Sequence, residues 1–309
     1  MAAIIIEKMT SSRLTAILQA VFVTFLWSTS WVLIKFGLHA DLPPITFAGL
    51  RYMFAFACLA PLVFFNPQQR RRLVSLSRSN WWRLGILGLL YYTLTQGALF
   101  VSLAYLPAAT LNLVLNLTSV VIGMAGALFL NERPSYLQWS GVALSAAGTG
   151  IYFLPVAIPQ SQVIGLIAAI VCMLANALAV LLGREINRSG QFSPWIVTFV
   201  SMGVGSVLML FIGLLTQGLG TLTWQDWAII AWLAIVNTAL AFTLWNHTLR
   251  TLTAVESSLI NNLMMPQIAI LAFLFLGETL TGKEVLGLIL VGVGVLVVQL
   301  RQHTVNDKP

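Results

Sequence analysis

Residues 107–132 read PAATLNLVLNLTSVVIGMAGALFLNE, and residues 253–278 read TAVESSLINNLMMPQIAILAFLFLGE. Each is long and apolar enough to cross a bilayer core, which takes about 20 residues as a helix. They also match in register. A shift of 146 residues carries Leu113, Asn116 and Leu117 onto Leu259, Asn262 and Leu263, and Phe129, Leu130 and Glu132 onto Phe275, Leu276 and Glu278. Apolar coincidences are cheap in such a chain. An asparagine and a glutamate falling in register are not.

The same ungapped shift holds outward in both directions. Trp81 meets Trp227, Leu106 and Ala108 meet Leu252 and Ala254, and Gly141, Leu144 and Gly148 meet Gly287, Leu290 and Gly294. Residues before 81 match less well. Apolar runs occupy 14–36, 44–65, 83–104, 107–130, 136–155, 162–183, 193–215, 226–248, 253–276 and 284–300. The expected fold is therefore an all-α integral membrane protein of ten transmembrane helices in two repeats, 1–160 and 161–309. Five spans is an odd number, so the second repeat enters the membrane from the opposite side, an arrangement common in secondary transporters. The link Tyr105-Leu106-Pro107 is so tight that spans 3 and 4 must be antiparallel neighbours.

Composition agrees. The 309 residues are 59% hydrophobic and 8% charged, where soluble domains carry about 25% charged residues. The formal charge of +7 follows from topology rather than from nucleic acid, which is not an expected partner. With the N-terminus in the cytoplasm, inside segments hold Lys8, Arg13, Arg70, Arg71, Arg72, Arg78, Arg83, Arg133, Arg184, Arg188, Arg250, Arg301 and Lys308, leaving Lys35, Arg51 and Lys283. Basic residues in short loops favour the cytoplasmic side. Both termini are expected there, with the chain multi-pass in the cell (inner) membrane and in contact with anionic lipid. The first run is expected to remain as a span rather than be cleaved. Trp81, Trp82, Trp139, Trp195, Trp224 and Trp227 sit near span ends as interfacial anchors. Cys58 and Cys172 lie in apolar runs, with neither disulfide nor metal-ligand spacing.

Three features in this order give the chain a family likeness. Span 1 reads FLWSTSWVLIK (25–35), span 2 contains Leu50-Arg51-Tyr52, and spans 4 and 9 end in Leu130-Asn131-Glu132 and Leu276-Gly277-Glu278. With ten spans and the repeat, the chain resembles the EamA-type permeases of the drug/metabolite transporter superfamily over nearly its whole length. The resemblance implies export or uptake of small metabolites by alternating access, with substrates that range widely across the superfamily. Where that family often has a threonine and then a proline midway along span 4, this chain reads Leu117-Thr118-Ser119. A proline does occur in span 9, Pro266.

Polar groups in membrane helices usually face the bundle interior or a water-filled cavity. Asn112, Asn116, Ser119, Gly123 and Gly126 recur every three or four residues and share one face of span 4. The shift carries the first two to Ser258 and Asn262. Trp27 and Trp31 in span 1, Tyr92 and Gln96 in span 3, Asn176 in span 6 and Asn237 in span 8 complete the candidate substrate-binding set. For each, helix packing or an interhelical hydrogen bond competes with cavity lining. Candidates for gating or coupling are Arg51, Glu132, Glu256, Pro266 and Glu278. Glu132 and Glu278 are helix-end carboxylates that would latch one face by pairing; Lys35 or Arg51 would reach Glu278, with snorkelling to headgroups the alternative for Lys35 and anion binding the alternative for the deeper Arg51. Glu256 would cap a helix or pair with Arg250. Pro266 would kink span 9.

No His-Glu-x-x-His helix, Gly-x-Ser-x-Gly elbow or cysteine/histidine cluster is present, and His247 is alone in its run. No catalytic residue, metal or cofactor is therefore expected. The alternatives to a permease for an amino acid or related polar, zwitterionic solute are an intramembrane enzyme or a channel-like protein. Expected partners are the small-molecule substrate and membrane lipid; a homodimer is compatible with the sequence.

Overall fold

The computed structural model describes residues 2–38, 42–118, 121, 136–153, 159–188, 191–248, 260–261 and 263–300, and no strand occurs among them. The helices are α1 (Ala2–Gly37), α2 (Pro44–Phe64), α3 (Pro67–Val74), α4 (Arg78–Tyr105), α5 (Ala108–Asn116), α6 (Tyr136–Phe153), α7 (Val163–Arg188), α8 (Pro194–Thr216), α9 (224–248), α10 (Met264–Leu276) and α11 (Gly282–Leu300). Segments Leu14–Gly37, Pro44–Phe64, Arg78–Tyr105, Gln160–Gly183 and Trp195–Thr216 are long and apolar enough to cross a membrane by length and composition. The chain is a multi-pass membrane protein.

Helix starts follow local chemistry. Pro44, Pro67 and Pro194 each sit in the first turn, where the missing N–H costs nothing and φ is already helical. Asn66 caps α3 by accepting from the backbone N–H of Gln68 and Gln69. Thr223 and Asp226 form a capping box at the start of α9. Helix α3 carries the Arg70–Arg72 cluster on a segment with no buried residue, where the sequence suggested only a link.

Several helices turn large apolar residues outward and smaller ones inward. On α1, Leu14, Leu18, Phe22 and Phe25 are exposed, while Ala16, Ala20 and Val23 are buried. On α7, Ile164, Ile167, Val171, Leu174 and Leu178 are exposed, and Ala169, Cys172, Ala175 and Ala179 are buried. An outside this greasy would be unstable against water but is at home against lipid chains. Trp81, Trp82, Trp139, Trp224 and Trp227 are exposed near helix ends, as interfacial anchors are.

Backbones approach closely where glycines face one another. In α6 and α11, a side-chain carbon on Gly148 would fall 2.8 Å from the Gly287 carbonyl oxygen, and one on Gly287 would fall 2.7 Å from the Gly148 carbonyl oxygen. One on Gly294 would meet Ser145 and the Gly141 carbonyl oxygen, 2.6 Å away. This seam packs through small residues in the manner of membrane helix pairs. Apart from it, α1, α2, α4, α5, α7, α9 and α10 pack around a common centre.

Two helices depart from α geometry. Leu89–Gln96 in α4 and Ile235–Leu240 in α9 are π-helical. In each, a threonine hydroxyl donates to the carbonyl five residues back: Thr95 to Leu90 at 2.8 Å, and Thr238 to Leu233 at 2.8 Å. Such stretches insert an extra residue into the turn and often mark functional sites.

Candidate functional site

A cavity of about 340 Å³ lies among the packed helices, within the size range of small-molecule sites. Helix α1 contributes Trp27, Ser30, Trp31 and Ile34, at helical spacing on one face. Helix α2 adds Arg51 and Tyr52; α4 adds Tyr91, Thr95, Gln96 and Leu99; α5 adds Asn112, Leu115 and Asn116, followed by Thr118. The remaining wall is Cys172, Asn176 and Val180 of α7, Phe242 of α9, Asn261, and Met264, Met265 and Ile268 of α10.

The expected residues therefore divide. Trp27, Trp31, Gln96, Asn112, Asn116 and Asn176 share this one wall with Arg51. Tyr92 does not line it. Its ring packs edge-on to Tyr52 and Tyr91, at 5.5 and 5.1 Å between centroids, and its Cβ lies 2.7 Å from where a side-chain carbon on Gly205 of α8 would stand. Asn237 is fully buried away from the cavity, and its amide donates to the Leu26 carbonyl and, at 3.1 Å, to Thr29 Oγ1. It laces α9 to α1. Pro266 is exposed and falls in the first turn of α10, after a turn at Leu263. Ser258, Asn262, Glu132 and Glu256 lie outside the described residues.

Tyr91, Thr95, Thr118, Cys172 and Asn261 were missed by sequence reasoning. Tyr91 was concealed by the π-helical stretch, and Asn261 by its neighbour Asn262. Cys172 is buried, and its thiol donates to the Thr95 carbonyl at 3.1 Å, inside that stretch.

The polar wall is partly committed and partly free. Asn112 donates to the Met265 carbonyl at 2.9 Å, tying α5 to α10. Asn116 donates back to the Asn112 carbonyl at 2.8 Å and to its Oδ1 at 3.1 Å. The amides of Gln96 and Asn176 have no hydrogen-bond partner among the described residues, and neither has the buried Thr118 hydroxyl. The Trp27 ring packs against Phe242 and Trp245, with centroids at 5.3 and 5.2 Å. Ser28 donates to Gln267 Oε1 at 3.0 Å, a polar tie from α1 to α10.

Arg51 is only 4% exposed. Its Nε donates to Thr238 Oγ1 at 3.2 Å, and its guanidinium carbon sits 5.1 Å from the Tyr52 ring centre and 5.9 Å from that of Phe100. It is therefore a cavity residue and does not pair with Glu278. Glu278 instead closes the link between α4 and α5. Its carboxylate accepts from the N–H groups of Ala108 and Ala109, at 2.7 and 3.2 Å, where a helix N-terminus favours negative charge. Lys35 lies in the field of this carboxylate and donates to the Leu106 carbonyl at 2.5 Å. The ends of α1, α4 and α10 and the start of α5 thus meet at one polar knot. No group of three or more histidine, cysteine, aspartate or glutamate side chains able to hold a metal occurs among the described residues.

Comparison with known proteins adds a family context. The model of the EamA-like transporter family matches residues 14–154 and again 163–300. The "Uncharacterized transporter YvbV" of Bacillus subtilis is 27% identical over 290 residues, covering 93% of this chain and 92% of that protein. The "Probable amino-acid metabolite efflux pump" of Salmonella typhimurium is 28% identical over 292 residues, covering 90% and 92%. In fold, the chain is similar to a protein of known crystal structure at 19% identity, with a TM-score of 0.66, covering 93% of this chain and 98% of the other.

Proposed function

The chain belongs to the EamA-like transporter family, and from that premise we propose that this membrane transporter moves an amino acid or related polar, zwitterionic solute by alternating access. The observation that carries the reading is the cavity itself. Its wall joins aromatic faces, uncommitted amides and one cation within helices whose outer surfaces suit lipid. A relative named as an amino-acid metabolite efflux pump supports the choice of solute class.

The architecture that serves this function is ten spans in two inverted repeats, 1–160 and 161–309, with both termini in the cytoplasm and the chain in the inner membrane. The separate family matches to 14–154 and 163–300 and the facing glycines of α6 and α11 support two repeats. Rocking of one bundle against the other opens the cavity to each side in turn. The knot of Glu278, Lys35 and the 106–109 link acts as the outer gate. Its bonds reach backbone groups that water can satisfy when the gate parts.

Purified protein in liposomes tests the reading. Saturable uptake of a labelled amino acid, accelerated by the same amino acid on the far side, is expected. Flux that never saturates and ignores the far side rejects the carrier. Glu278→Gln weakens two charge-assisted bonds, each worth about 1.5–3 kcal/mol. A cysteine at Leu106, in a background without Cys58 and Cys172, should then react several-fold faster with an impermeant maleimide added outside. An unchanged rate removes Glu278 from the gate.

A further inference from the structure

Arg51 is the charged side chain on the cavity wall; among the described residues no carboxylate lies within ion-pair distance of it. Nε is used by Thr238, and the rings of Tyr52 and Phe100 lie close to the guanidinium. The terminal Nη groups make no hydrogen bond to any described residue. A guanidinium kept this far from water needs an anionic or strongly accepting partner, because an unpaired buried charge is costly. The rings and one hydroxyl meet only part of that need.

What the side chain still offers is a rigid donor fork, whose geometry fits the two oxygens of a carboxylate. A cationic solute in the same cavity would meet like charge at short range with no described acid on the wall to offset it. We infer that Arg51 is the carboxylate-binding residue of the site. The cargo is thus a small monocarboxylate, including the zwitterionic amino acids, and amines without a carboxylate are rejected. The rest of the solute lies against Trp27, Trp31 and Tyr91, with Gln96 and Asn176 available for its polar groups. This rests on the carrier reading only in taking the bound solute to be the cargo.

The test compares acids with their own amides on the unaltered protein. L-leucine, L-phenylalanine, L-threonine and 3-phenylpropanoate are each set beside the corresponding carboxamide, with phenethylamine as a cation. Binding is read from the melting temperature of detergent-purified protein, since a ligand of the folded state raises it. At least one acid is expected to bind, and its amide at least about tenfold more weakly, given the strength of charge-assisted bonds. In Arg51→Gln the acid should fall to the affinity of the amide, while the amide is little changed. A merely structural role for Arg51 would weaken both alike. The assignment is overturned if none of the acids binds, if amides or phenethylamine bind as well as the acids, or if Arg51→Gln keeps the preference. The acid–amide comparison stands even if that variant does not fold. Preference for acids without any flux of them in liposomes would keep Arg51 in this role and reject the carrier. Flux of amines in preference to acids would do the reverse.

Discussion

The π-helical stretches of α4 and α9 begin at Leu89 and Ile235, positions that the 146-residue shift superimposes, yet they serve different partners. In α4 the stretch turns Tyr91, Thr95 and Gln96 onto the cavity. In α9 the corresponding stretch turns Asn237 into the backbone of α1 and sets Thr238 against Arg51. Tyr91 and Asn237 occupy matching positions, as do Tyr92 and Thr238. One stretch uses the extra residue to build part of the cavity wall. The other uses it as a brace that holds α1 and steadies the cation of that wall. A shared backbone device has thus been given two side-chain chemistries, and a near-symmetric frame yields an asymmetric site.

The sharpest way to break this contrast is to remove the extra residue. Deleting Leu94 should return α4 to ordinary helix and leave the residues beyond the stretch in register, so that Tyr91, Thr95 and Gln96 no longer turn together onto the cavity. Counterflow in liposomes should fall by more than about 100-fold. Deleting Leu240 from α9 should act first on stability, seen as loss of a monodisperse peak in detergent. If the first deletion only unfolds the protein and the second only stops transport, the roles are reversed. A milder pair follows. Asn237→Leu removes a buried bond between helices worth about 1–2 kcal/mol, and should lower the melting temperature while leaving solute affinity in place. Gln96→Leu should do the opposite, weakening affinity about tenfold with the melting temperature unchanged. The smallest change is Thr238→Val, nearly the same shape without the hydroxyl. Loss of one acceptor for Arg51 costs about 1 kcal/mol, which would appear as a roughly fivefold weaker affinity for carboxylates alone.

Much of this was legible in the residues. Apolar runs placed the segments Leu14–Gly37, Pro44–Phe64, Arg78–Tyr105, Gln160–Gly183 and Trp195–Thr216 closely, because length and hydropathy are what a bilayer selects, while the polar helix α3 escaped notice. The spacing of Asn112 and Asn116, and of Trp27 and Trp31 one turn apart, put each pair on one helix face, and both faces line the cavity. The error at Tyr92 has a clear cause. Counting back four from Gln96 gives Tyr92, but in an i→i+5 turn the residue beneath Gln96 is Tyr91. Nothing in LLYYTLTQ announces that the helix widens there. Arg51 was read as lying deeper than Lys35, with pairing to Glu278 and anion binding both open, because sequence alone does not show what surrounds a cation inside a span. Its burial depends on Thr238, Tyr52 and Phe100 converging, and two of those come from elsewhere in the chain. Asn237 was chosen for its polarity and depth, but polarity alone does not tell a lining amide from one spent on a neighbouring backbone.

The glycine contact between α6 and α11 limits how the molecule can move. With carbonyl oxygens where side chains would otherwise stand, those two helices have no cushion to compress and no slack to take up. They travel as one strut. On the proposed carrier reading, the hinge lies beside this strut and the glycine seam stays packed through the cycle.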